Sequence, residues 1–100
     1  MKDNIKRIAN HYGLAKQQRQ LAEECAELIQ ATSKYMRFQE ESYALTVDWT
    51  YLQNVIEEIA DVEIMLEQMK VLLNLSDETV EGVKKIKVNR ELARIKEGSK

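Results

Sequence analysis

The chain of 100 residues contains no proline and only three glycines, Gly13, Gly82 and Gly98. Proline breaks a helix by removing a backbone donor and clashing with the preceding turn. Glycine weakens one through the backbone freedom it loses. A chain almost free of both is under strong pressure to run in long uninterrupted helices. The residues that replace them, chiefly Ala, Leu, Glu, Lys, Gln and Arg, are strong helix formers. No stretch sustains the period-two alternation of a half-buried strand. The expectation is an all-α fold of four helices, arranged as a four-helix bundle.

Helical periodicity and cap residues divide the chain. A first helix is expected from Asp3 to Tyr12, closed by Gly13. A second is expected from Leu14 to Phe38, with Leu21, Cys25, Leu28, Thr32 and Tyr35 as its apolar stripe. A third is expected from Asp48, as its cap, to Leu73. Its stripe is Leu52, Val55, Ile59, Val62, Leu66 and Met69. A fourth is expected to start at Ser76-Asp77, with acids in its first turn, and to end near Ile95. Residues 39–47 are the one long connection; short connections elsewhere favour antiparallel neighbours. One domain is expected over residues 1–97, with 98–100 as a frayed tail.

Several functional classes are excluded early. Fifteen basic against 17 acidic residues give a net charge of −2, which argues against a nucleic-acid-binding protein. Cys25 is the only cysteine and His11 the only histidine, so a disulfide scaffold and a Cys- or His-based zinc site are out of reach. No apolar run approaches the ~18 residues of a membrane span, so no membrane association is expected. Met1-Lys2-Asp3-Asn4 leads into an amphipathic stretch rather than an apolar signal core, which makes the cytoplasm the expected location. The small core of a chain this size favours self-association.

Two acidic segments carry the chemistry: Glu23-Glu24-Cys25-Ala26-Glu27 and Glu57-Glu58-Ile59-Ala60-Asp61. Glu24 with Glu27, and Glu58 with Asp61, stand three apart and are neighbours on a helix surface. One such pair is ordinarily a solvated face. Here both pairs border apolar stripes of consecutive long helices, where unneutralised carboxylates are costly. Antiparallel packing lets the pairs converge, and a divalent cation relieves their repulsion. All-oxygen ligation selects a hard ion, Mg²⁺ or Mn²⁺. A di-iron carboxylate site is disfavoured, because neither pair is followed by the histidine such sites use. On the fourth helix, Lys84-Lys85-Ile86-Lys87-Val88-Asn89-Arg90 forms a basic segment suited to phosphate oxygens.

In order and spacing, Glu23-Glu24-Cys25-Ala26-Glu27, Glu58-Ile59-Ala60-Asp61 and Lys85-Ile86-Lys87-Val88-Asn89-Arg90 resemble the signature of the MazG-like all-α nucleoside triphosphate pyrophosphatases. The resemblance spans about residues 5 to 91. It implies Mg²⁺-dependent hydrolysis of a (deoxy)nucleoside triphosphate to the monophosphate and pyrophosphate, a housekeeping role for the nucleotide pool, and a homodimer or homotetramer. It implies Glu24, Glu27, Glu58 and Asp61 as metal ligands, with Mn²⁺ as a substitute ion. Glu23 and Glu27 become the carboxylates that assist water, and Lys85, Asn89 and Arg90 the phosphate holders. Gln18 and Trp49 are the expected base contacts. Trp49 clusters in sequence with Phe38, Tyr43 and Tyr51 around the long connection, and His11 lies near the start of the second helix. The chain departs from many relatives at Gln20, Met65 and Leu92, where a basic residue, a tyrosine and an arginine are common. A non-catalytic helical interaction module is the alternative.

Overall fold

The computed structural model describes residues 1–42 and 49–98. Four α-helices account for nearly all of them: α1 Lys2–Tyr12, α2 Leu14–Ser42, α3 Trp49–Leu72 and α4 Asp77–Lys96. The fold is all-α, with no strand among the described residues. Each junction has a local cause. Gly13, at φ 85°, ends α1, and its N–H donates to the Ala9 carbonyl at 2.9 Å. At the end of α3, Asn74 takes φ 55°, a conformation asparagine tolerates better than most residues. The Leu75 N–H then reaches back to the Lys70 carbonyl at 2.8 Å. Ser76 caps α4, its hydroxyl accepting the Thr79 N–H at 3.2 Å.

The second helix runs to Ser42, so residues 39–42 of the expected connection are helical and that connection is shorter than its composition suggests. The Asp48 cap and Tyr43 lie outside the described residues.

The main packing is α2 against α3, with α1 laid across α3 and touching α2 more lightly. The facing side of α2 carries Gln17, Leu21, Glu24, Leu28 and Tyr35. That of α3 carries Leu52, Val55, Glu58, Val62, Met65 and Gln68. With the half-buried Ala31 included on α2, both series step by three and four residues, the spacing of a helical seam. Two positions expected on the inner stripe of α3 face solvent instead: Ile59 is 43% exposed and Leu66 48%. Apolar residues occur on every side of α3, so hydrophobicity alone does not locate its inner face. Polar residues take inner positions in their place.

Where α1, α2 and α3 meet, Ala9 and Met65 are buried together with Gln17 and Gln68. The Gln17 amide donates to the Gln68 carbonyl oxygen at 2.7 Å, and the Gln68 amide approaches the Met65 sulfur at 3.5 Å. α4 departs from this layer. It forms no interface with α2 or α3 comparable to theirs, and most of its side chains are exposed. It is tethered at its start, where Asp77 accepts from Lys2 of α1 and Lys70 of α3. The radius of gyration is 17.4 Å, against ~13 Å for a compact domain of this length.

Candidate metal centre

The seam positions the carboxylates. Glu24 and Glu27 stand one turn apart midway along α2, and Glu58 and Asp61 do the same on the facing stretch of α3. Glu24, Glu27 and Glu58 each offer an oxygen, and these oxygens all lie within 4.8 Å of one another. Asp61 adjoins Glu24, whose negative charge bears on it. Three of the four expected acids therefore converge, and Asp61 lies beside Glu24 outside that group.

Electrostatics are unfavourable without a cation. Desolvation raises the Glu58 carboxyl above the usual glutamate range, and the charges of Glu27, Asp61 and Glu24 push it further. Asp61 is raised by desolvation first and by Glu24 next. No lysine or arginine among the described residues forms an ion pair with any of the four acids.

The orphaned atoms are the most informative detail. Glu24 Oε2 and Glu58 Oε2 are both buried and both lack a hydrogen-bond partner. A buried carboxylate oxygen without a donor costs free energy that folding must recover elsewhere. Two such oxygens beside a third carboxylate make a pre-set, all-oxygen donor group. That donor set fits a hard divalent ion and suits zinc or copper poorly. Gln20 holds one side of the group in place, its amide donating to Glu24 Oε1 at 2.8 Å. Seen in sequence, Gln20 is only a departure from the usual basic residue. Its role as a clamp one turn before Glu24 is readable from the i,i+4 spacing, once Glu24 is known to face inward.

The remaining site residues are less concentrated. Glu23 is exposed beside the cluster, and Glu27 is exposed at its rim. Lys85, Asn89 and Arg90 are exposed on α4, the helix that has no interface with α2 or α3 comparable to theirs. Gln18 is exposed, whereas its neighbour Gln17 is the buried one. Trp49 is 71% exposed at the start of α3. The aromatic contact near it is the Phe38–Tyr51 stack, with centroids 5.0 Å apart. His11 packs edge-on against Tyr12 and joins no polar cluster. Cys25 is a half-buried free thiol on the seam. Among the described residues no helix is long and apolar enough to cross a membrane.

Comparison with family models, with curated proteins and with solved structures finds no match for this chain.

Proposed function

We propose that the chain is a Mg²⁺-dependent nucleoside triphosphate pyrophosphohydrolase, converting a (deoxy)nucleoside triphosphate and water to the monophosphate and pyrophosphate. Its role is housekeeping of the nucleotide pool in the cytoplasm. The observation that carries this is the pair of buried, partnerless oxygens on Glu24 and Glu58 within a cluster of carboxylates. The resemblance of the three motifs to the MazG-like pyrophosphatases supplies the substrate class.

Glu24, Glu27, Glu58 and Asp61 hold the ion, with Mn²⁺ able to replace Mg²⁺. When bound, the ion supplies Lewis acidity and neutralises the triphosphate oxygens. The chain's own groups do the rest. Glu23 or Glu27, both at the open rim, accepts a proton from the attacking water. The water oxygen bonds to the α-phosphorus as the bond from that phosphorus to the bridging oxygen breaks. The electron pair leaves on pyrophosphate. Lys85, Asn89 and Arg90 bind the phosphates, and Gln18 and Trp49 contact the base. The basic segment lies on α4, which has no interface with α2 or α3 comparable to theirs, and a homodimer or homotetramer brings an α4 to the site.

A phosphorus NMR time course with Mg²⁺ and a panel of nucleoside and deoxynucleoside triphosphates tests the reaction. Monophosphate appearing together with pyrophosphate is the expected result. Diphosphate with orthophosphate places cleavage at the other anhydride and overturns the assignment. So does the absence of turnover with both Mg²⁺ and Mn²⁺.

A further inference from the structure

The carboxylate cluster is almost without outside support. Among the described residues, Gln20 is the only amide, hydroxyl or cationic side chain bonded to any of Glu24, Glu27, Glu58 and Asp61. Its Nε2–H donates to Glu24 Oε1 at 2.8 Å. Helix geometry sets the direction of that bond. Gln20 stands one turn before Glu24 and about 40° round the helix from it, on the flank that carries Glu27. The half-buried amide therefore reaches Glu24 from the rim of the cluster. The two oxygens of Glu24 differ as a result. Oε1 is held by Gln20, whereas Oε2 is buried and has no partner.

Held in this way, Glu24 presents a single oxygen. Seating one ion on both oxygens requires the carboxylate to turn, and that turn breaks the bond to Gln20. Glu24, Glu27 and Glu58 can each offer one oxygen to a common ion. Three single-oxygen ligands leave half of an octahedral shell to water and substrate. That suits Mg²⁺ and Mn²⁺, which take octahedral oxygen sites, Mg²⁺ usually keeping several waters. Ca²⁺ takes about six to eight oxygens at longer distances, and it gains from flexible carboxylates that bind through both oxygens.

Glutamine suits this position because it donates without adding charge. A lysine or arginine could also hold Oε1, but its positive charge beside the ligands would oppose the bound cation. An apolar residue would leave Glu24 free to turn.

We propose that Gln20 is a positioning residue which fixes Glu24 as a one-oxygen ligand and so sets the preference of the site for Mg²⁺ and Mn²⁺ over Ca²⁺, resting on the metal site of the functional reading above. The test reads binding rather than turnover. Mn²⁺ is titrated into the full chain at constant ionic strength and followed by electron paramagnetic resonance, with Mg²⁺ and Ca²⁺ as competitors. Gln20→Leu keeps the bulk and the helix propensity and removes the donor. It should lower the ratio of the Ca²⁺ Kd to the Mg²⁺ Kd by at least ~10-fold, the usual scale for losing a hydrogen-bond partner of a metal ligand. Gln20→Lys should restore much of the ratio while weakening both ions, because it returns a donor together with a charge. Should Gln20→Leu lose helical circular dichroism, Gln20→Ala takes its place. Equal losses for both ions mean that Gln20 is merely structural and overturn the proposal. An unchanged ratio in a folded variant overturns it as well. A wild-type chain that binds none of the three ions overturns the metal site itself, and this role of Gln20 with it.

Discussion

The seam between α2 and α3 and the outlying α4 bury their residues oppositely. The seam takes polar groups inward: Gln17, Gln68, Glu24 and Glu58 all face the neighbouring helix. α4 leaves apolar groups outward, with Ile86 and Leu92 more than half exposed. The two regions settle their polar and apolar groups differently. The glutamines of the seam find each other within the chain. Two of its glutamate oxygens, Glu24 Oε2 and Glu58 Oε2, find no protein donor, which fits the proposed ion site. Along most of its length, α4 has no helix interface within the chain comparable to that between α2 and α3.

The largest effect that separates the two regions is on turnover. Glu24→Ala or Glu58→Ala should reduce kcat by at least ~100-fold, because each removes a ligand from a site that has no spare donor. Phosphorus NMR under the same conditions should show a smaller loss for Lys85→Ala or Arg90→Ala, expressed mainly in KM, since these bind substrate rather than the ion. Equal losses from both regions would erase the distinction drawn between them.

The next effect is on stability and concerns the seam alone. Gln17→Ala removes the donor to Gln68 Oε1 in a buried position, and an unsatisfied buried acceptor costs about 1–3 kcal/mol. For a chain of this length, that lowers Tm by roughly 4–8 °C per kcal/mol. Replacing the neighbouring Gln18, which is exposed, should leave Tm nearly unchanged. Thermal denaturation of the two variants side by side decides whether the glutamine pair holds the α1–α2–α3 junction.

That pair also marks where sequence reading stops. The helices themselves were legible because Gly13, the connection around residues 39–47 and Ser76-Asp77 mark their junctions, and the chain has no proline to interrupt them elsewhere. The acid clusters were legible because two spaced pairs on adjacent helices form a pattern, and their convergence follows from antiparallel packing. The inner face of α3 was not. Ile59 and Leu66 look like core, and Gln68 looks like surface, but register is settled by the packing of both helices together. Gln17 and Gln18 are indistinguishable by composition, and only one turn angle, 100°, separates the buried one from the exposed one. Gln20 as the clamp on Glu24 depends on that same register. The outward stance of α4 was equally hidden, because its apolar residues read as the core of a closed bundle.

A subtler effect tests the cost of the carboxylate cluster. Glu58 and Asp61 have raised pKa values in the folded chain, chiefly through desolvation. The folded state then holds protons to higher pH than the unfolded state does. Stability therefore falls as pH rises from the ordinary carboxylate range through the raised values, and levels off above them. Without metal, Glu58→Gln should raise Tm at neutral pH and flatten this dependence, even as it abolishes activity. Mg²⁺ should stabilise the wild-type chain, by about 2.7 kcal/mol at a hundredfold excess over Kd, and should do little for the variant. A matched ionic-strength control separates binding from screening. A Glu58→Gln chain less stable than wild type without metal would show that the cluster is a structural network and not a strained site.

The smallest effect lies where the two regions join. Asp77, the first residue of α4, accepts from Lys2 and Lys70. These bonds hold its carboxyl below the usual aspartate range. The sign is opposite to that of Glu58. The contribution of Asp77 is present above the ordinary carboxylate pKa and is lost as pH falls through the lowered one. The partners are partly exposed, so salt screens them and each pair contributes little. Asp77→Asn keeps a residue that favours helix starts and removes only the charge. Its Tm should fall by a few degrees at most, and the difference from wild type should vanish in high salt or below the pH at which Asp77 protonates. A large, salt-independent loss would mean that α4 is fastened to the seam by more than its first turn. The contrast between a self-contained seam and an outlying helix would then have to be redrawn at that junction.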